Sequence, residues 1–222
     1  MNLFKNSVEK KIVMAITGLV MILYLIAHLL GNLTVFKGQS AINTYGSILR
    51  SIGILTWLAR VIMISALLIH IYFGVMLTIE NRKARAIPYR IKKNLRSTFA
   101  SRNMIWTGLF IVLYIIYHLL NFSFPLINRE LFAARNLDAL GQPDIYNMVI
   151  RNFQEIGISI TYTIAIIAIA LHLYHGIQSL FQTVGLNTEN TIPVIIKAGR
   201  ITSLILMLGF LSIPVAIFTG IF

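Results

Sequence analysis

Cysteine is absent from the 222 residues, and carboxylates are scarce: seven Asp and Glu stand against 19 Lys and Arg. Without thiols the chain cannot hold a cysteine-ligated iron–sulfur cluster, a covalently attached c-type haem or a disulfide. The shortage of acid is also positional. Glu9, Glu80 and Glu155 fall at the ends of long apolar runs, and none lies deep inside one. That removes the carboxylates with which buried proton and ion paths are usually built. A Walker phosphate loop and a glycine-rich dinucleotide fingerprint are missing too, so no nucleotide site is expected.

What the chain has is hydrocarbon. It is 57% hydrophobic and only 12% charged, more apolar than a soluble domain of this size needs. Five runs, at about 11–36, 57–79, 104–126, 156–181 and 192–222, reach the ~20 apolar residues that cross a bilayer as a helix. The first is too long for a secretory signal, and "LLGNLTVF" offers no small-x-small cleavage site, so it reads as a retained helix. The expected fold is all-α: one polytopic membrane domain over 1–222 with five transmembrane helices, the first four forming a four-helix bundle.

A net charge of +12 would suit nucleic acid in a soluble chain. Here the charge is sorted by side. Arg82, Lys83, Arg85, Arg90, Lys92, Lys93, Arg96 and Arg102 lie between the second and third runs, Lys5, Lys10 and Lys11 at the N-terminus, and Lys197 and Arg200 before the fifth run. Only Lys37, Arg50, Arg60, Arg129, Arg135 and Arg151 fall on the other side, with Glu130, Asp138, Asp144 and Glu155. The positive-inside rule then puts the N-terminus in the cytoplasm and the C-terminus outside. Beyond topology, the basic side suits an acidic cytoplasmic partner or anionic lipid headgroups. No nucleic-acid partner is expected.

All five histidines, His28, His70, His118, His172 and His175, lie inside the apolar runs, where polar side chains are costly and usually functional. A repeat organises them. "LYLIAHLL" (23–30) matches "LYIIYHLL" (113–120), and "HIYFG" (70–74) matches "HLYHG" (172–176). A parallel repeat puts equivalent residues at equal depth. His28 then pairs with His118, His70 pairs with His172, and His175 takes the position of Phe73. Counting residues from the basic flanks puts the first pair at roughly 25 Å and His70 at roughly 18 Å, for ~1.5 Å rise per residue.

Two neutral imidazoles on facing helices suit the two axial positions of a haem iron. Gly74 and Gly176, one turn beyond His70 and His172, would let a flat macrocycle approach the backbone. Two such haems at different depths would relay electrons. Other readings remain open: histidines bonding helix to helix, or a haem-free transporter. A single four-histidine metal site is disfavoured by the difference in depth. His175 reads as structural or as hydrogen-bonding beside a haem, with ligation as the other reading. Tyr24, Tyr72, Tyr114 and Tyr174 are candidates for hydrogen bonds within the core.

Taken together, one histidine in each of the first four runs, "ENRKAR" after the second, "ASRNMIWTG" entering the third and "HLYHGIQSLFQTVG" ending the fourth resemble the diheme cytochrome b membrane anchor of succinate:quinone oxidoreductases, the five-helix single-anchor type shared with fumarate reductases. The likeness extends over essentially the whole chain. The last motif is similar to the family's His-x-x-x-Gly-x-x-Ser, met here by His172, Gly176 and Ser179. The resemblance implies two b haems, an outer one on His28 and His118 and an inner one on His70 and His172. It implies a flavoprotein and an iron–sulfur subunit on the cytoplasmic face of a bacterial inner membrane, with menaquinone as the quinone. Diheme cytochromes b of formate dehydrogenases or hydrogenases are similar in plan, but usually carry their soluble module on the outer face.

This chain departs from that pattern where acid residues are assigned to quinone or proton handling. "GNLTVFKGQSAINTYGSILRSIGIL", read as a loop, has no acid, and Ala170 stands two before His172. A quinone site there would use Asn43, Tyr45, Ser47 or Arg50. In the long connection from 125 to 152, "PLINRELFAARNLDAL" has apolar residues at helical spacing and reads either as an interfacial helix over the outer haem or as a solvated connector.

Overall fold

The computed structural model of the chain describes residues 6–84, 97–124 and 126–222, and every regular element among them is helical. The long helices are α1 (Ser7–Asn32), α3 (Ile54–Lys83), α5 (Met104–His118, continued as a π turn over Leu119–Ser123), α7 (Ile156–Thr183) and α8 (Ile192–Phe218). The short ones are α2 (Gln39–Ser51), α4 (Phe99–Arg102) and α6 (Ile145–Gln154). The five long helices are each long and apolar enough to cross a membrane. Their outward faces carry bare apolar side chains such as Ile54, Trp57, Leu68, Trp106, Leu113 and Leu208. This is the composition of a multi-pass membrane protein, in which a helix satisfies its backbone without help from water.

The ends of these helices are set locally. α7 and α8 both close on a glycine in the left-handed region, Gly185 (φ 79°) and Gly220 (φ 76°). In each the following amide reaches back, Leu186 N–H to the Phe181 carbonyl and Ile221 N–H to the Ala216 carbonyl, a Schellman closure that caps the free carbonyls. The fifth run therefore stops at Phe218 rather than 222. Lys197 and Arg200 lie inside the first turns of α8, not in a loop before it. Lys5, Arg85, Arg90, Lys92, Lys93 and Arg96 lie outside the described residues.

Packing runs around a ring. α1 lies against α3, α5 against α7 and α7 against α1, while α3 and α5 touch only lightly. α8 packs along the outside of α7 and reaches α1. The diagonals of the ring, α1 to α5 and α3 to α7, have no extended backbone contact. α5 contributes no buried residue at all, so protein side chains alone do not close the centre.

The repeat extends to the connections. α2 joins α1 to α3, α6 joins α5 to α7, and the two short helices pack on each other at one end of the ring. We call this the capped end and the opposite one the basic end. The segment expected as a loop is thus mostly helix, with Ile42, Asn43 and Gly46 on its buried face. Of the two readings of "PLINRELFAARNLDAL", the structure shows the connector and not the interfacial helix. Residues 126–140 instead make two single 3₁₀ turns, Arg129–Leu131 and Ala133–Arg135, and the helix comes later as α6; Pro125 lies outside the described residues. Polar side chains explain the difference. Asn128 takes a left-handed φ of 48°, the Asn136 amide donates to the carbonyls of Glu130 and Phe132, and the Asp138 carboxylate accepts from the amides of Leu140 and Gln142. The backbone is satisfied before a helix can propagate. Asp144 then caps α6 by accepting from Asn147 N–H at 3.1 Å.

Candidate functional site

The two histidine pairs read from the repeat meet across the two diagonals. His28 of α1 faces His118 of α5 with ring centroids 5.9 Å apart and planes at 90°. His70 of α3 faces His172 of α7 at 6.4 Å and 62°. Each pair bridges helices whose backbones stay apart. His175 enters no histidine–histidine contact among the described residues.

Hydrogen bonds at the basic-end pair follow the repeat. Thr17 donates its hydroxyl to the carbonyls of Val13 and Met14, four and three residues back on α1. The same hydroxyl oxygen lies 3.2 Å from His70 Nδ1, and the Met14 carbonyl is also 3.2 Å from it. Thr107 does the same on α5, with Asn103 and Met104 as its acceptors and His172 Nδ1 at 3.1 Å. The glycine after each threonine brings bare backbone to the ring. A Cβ on Gly18 would stand 3.5 Å from His70 Cε1, and one on Gly108 would stand 3.4 Å from His172 Cε1. Sequence reasoning missed both Thr–Gly pairs. The signal was present: "MAITGLVMILYLIAH" and "MIWTGLFIVLYIIYH" carry Thr-Gly in register, eleven residues before histidine.

The capped-end pair is held differently. His118 Nδ1 lies 3.2 Å from the Tyr162 hydroxyl, inside an aromatic group of Tyr114, Phe122 and Phe153. His28 stacks on Tyr24, centroids 5.5 Å apart at 12°, and leans on Phe210. Three residues past His118, in the π turn, Asn121 is 2% exposed and its side-chain amide has no hydrogen-bond partner among the described residues. It lies beside the Tyr162 hydroxyl without bonding geometry to it. A π turn next to a histidine and an orphaned amide both mark functional positions.

The residues fit a bis-histidine haem. Two imidazoles on one iron stand with centroids roughly 6 Å apart, given metal–nitrogen bonds of ~2 Å and a ring radius near 1 Å. Both pairs match that spacing. Three of the four rings spend Nδ1 on a neighbour, which leaves Nε2 for a metal. Gly176 has nothing within 4 Å of its missing Cβ, and Gly74 only Met14 Sδ at 4.0 Å, so the α3 and α7 faces are open beside the basic-end pair. Ser179 follows Gly176 on the same face of α7 at helical spacing. The pairs are well separated. Because His70 sits level with Thr17, eleven residues before His28 on α1, the two levels differ by roughly 16 Å along the helix. That is a larger step than counting from the basic flanks implied, because Thr17, level with His70, lies only six residues past Lys11 on α1.

The expected quinone residues lie on or beside α2. Asn43 is fully buried and committed: its amide donates to Asp138 at 2.9 Å and to Asp144 at 3.4 Å, and its carbonyl oxygen accepts from Tyr146 N–H at 3.0 Å. Tyr45 packs against Gly31, whose missing side chain makes room for the phenol. Ser47 and Arg50 are not drawn into that cluster. The capped end is therefore not free of acid, because the later connection delivers it. A cleft of about 470 Å³ opens there between α5 and α7, lined by Tyr117, Asn128, Glu130, Glu155, Ile158 and Thr161 among others. Of the four tyrosines expected to hydrogen-bond in the core, none does so among the described residues: Tyr114 packs its ring against His118 and Tyr162, and Tyr72 is 61% exposed.

Comparison with protein-family models, with curated proteins and with solved structures gave no match.

Proposed function

We propose that this chain is the membrane-embedded diheme cytochrome b subunit of a succinate:quinone oxidoreductase. It would anchor a flavoprotein and an iron–sulfur protein at its basic end and exchange electrons with menaquinone at its capped end. The observation that carries this reading is the pair of imidazole bridges, His28 to His118 and His70 to His172, across the two open diagonals. Bis-histidine b haems, when bound, supply one-electron transfer with no open coordination position. The chain's own residues do the rest. The four imidazoles hold two groups at levels roughly 16 Å apart, and lipid-facing apolar helices keep water from them.

The side of each partner follows from charge. Lys10, Lys11, Arg82 and Lys83 crowd the basic end, which in a bacterial inner membrane is the cytoplasmic side, with the C-terminus outside. For the quinone, the cleft of Tyr117, Thr161, Glu130 and Glu155 is a better candidate than the α2 residues, since Asn43 is already hydrogen-bonded on both polar ends.

The test is to purify the chain from its native membrane with whatever accompanies it. A pyridine haemochrome spectrum should give two b-type haems per chain, and flavin and iron–sulfur subunits should co-purify. Well-folded protein without haem would overturn the reading in favour of a transporter. Two haems with a formate dehydrogenase or hydrogenase module would move it to that class.

A further inference from the structure

The basic-end pair carries a feature that ligation alone does not require. Each of its rings is met by a threonine from a different helix, with the same geometry in both halves of the repeat. In both cases the hydroxyl hydrogen is already directed to a carbonyl three or four residues back. A hydroxyl that gives its hydrogen to such a carbonyl can only accept from the ring, which then carries its proton on Nδ1, and at His70 the Met14 carbonyl at 3.2 Å calls for the same tautomer. We propose that Thr17 and Thr107 are positioning residues that lock His70 and His172 in the Nδ1–H tautomer, so that both Nε2 lone pairs point into the space the two rings share. This rests on the bis-histidine haem reading and deepens it.

The arrangement is economical in chain. α1 carries the ligand His28 for one site and the positioning Thr17 for the other, and α5 does the same with His118 and Thr107. Gly18 and Gly108 complete each cradle, since a glycine beside the ring keeps the helix close enough for the hydroxyl to reach. The two threonines are not equivalent in weight. His70 Nδ1 has the Met14 carbonyl as a second acceptor, whereas Thr107 is the one acceptor His172 has among the described residues. An acceptor on Nδ1–H raises the basicity of Nε2 and favours the more oxidised metal, so its loss should raise the potential of the basic-end haem and loosen its hold.

The experiment uses the native-membrane preparation with Thr107→Val, Thr17→Val and the conservative Thr107→Ser, and reads haem stoichiometry, haem loss to an apoprotein acceptor and a potentiometric titration. Thr107→Val should speed loss of one haem by roughly 10–100-fold, the usual cost of removing such a partner, and raise the potential of that haem alone. Thr17→Val should do the same more weakly, and Thr107→Ser should restore wild-type values. Retention of the second haem shows that the variant is folded. If Thr107→Val left both haems unchanged, or shifted both equally, the positioning role would be refuted while the haem reading stood. A haem-free wild type would instead overturn the reading on which it rests.

Discussion

The two ends of the molecule are built by opposite means. At the capped end the protein roofs itself: α2, α6 and the connection between α5 and α6 interlock through Asn43, which is bonded to residues about a hundred positions away. At the basic end, among the described residues, the helices are tied by the ion pair of Lys10 with Glu80 and by little else. The histidine pairs divide in the same way. The capped-end pair sits among tyrosines and phenylalanines, and the basic-end pair is held by two backbone-anchored hydroxyls. Among the described residues, Lys11, Arg82 and Lys83 stand exposed at the basic end.

The contrast can be tested from its largest consequence down. His70→Ala or His172→Ala should remove one of two haems and leave the other, whereas His175→Ala should leave both; haem per chain and redox difference spectra decide it. Asn43→Ala should loosen only the capped end, by about 1–3 kcal/mol, because it takes one donor from each of two carboxylates and strands the Tyr146 amide. Hydrogen exchange should show α2 and α6 opening while the basic-end amides stay protected. Glu80→Gln should cost the basic end about 1 kcal/mol. Lys10 is buried and loses its partner, but Glu80 is partly exposed, which keeps the figure well below that of a fully buried pair. The smallest effect is that of acid. The Asn43 amide holds the Asp138 carboxyl below its usual range despite some burial, with help from the amides of Gln142 and Leu140. Burial pushes Asp144 up, but the bonds from Asn147, Gln39 and Asn43 outweigh it and hold it low as well. Groups held low in the fold lend stability that is complete above their unfolded values and lost as pH falls through the folded ones. Protection of α2 and α6 should therefore be flat from neutral pH down to about 4 and decline only below it.

The sequence carried the five apolar helices and the pairing of the histidines, because both are written in local patterns: hydropathy for the first, and for the second the repeated Tyr-x-x-x-His and His-x-Tyr-x-Gly. Thr17 and Thr107 were not, although they repeat in register. A threonine in an apolar helix is an ordinary residue until α3 is known to lie against α1 and α7 against α5. Asn43 misled in the other direction. As a polar residue in a presumed loop it looked available, and only the distant Asp138 and Asp144, brought over by the second connection, show it to be a clasp. Near residue 130 the pattern left a helix and a connector open, and the connector won because asparagine and aspartate side chains took the backbone bonds a helix would have used.

No histidine pair lies within one repeat. Each half of the chain brings one imidazole to each bridge, so neither bridge exists until both halves do. During synthesis the His28–His118 bridge can close once α5 has emerged, but the His70–His172 bridge must wait for α7, a delay of several seconds at about 5–20 residues per second. The order of manufacture thus gives the two bridges an order of birth.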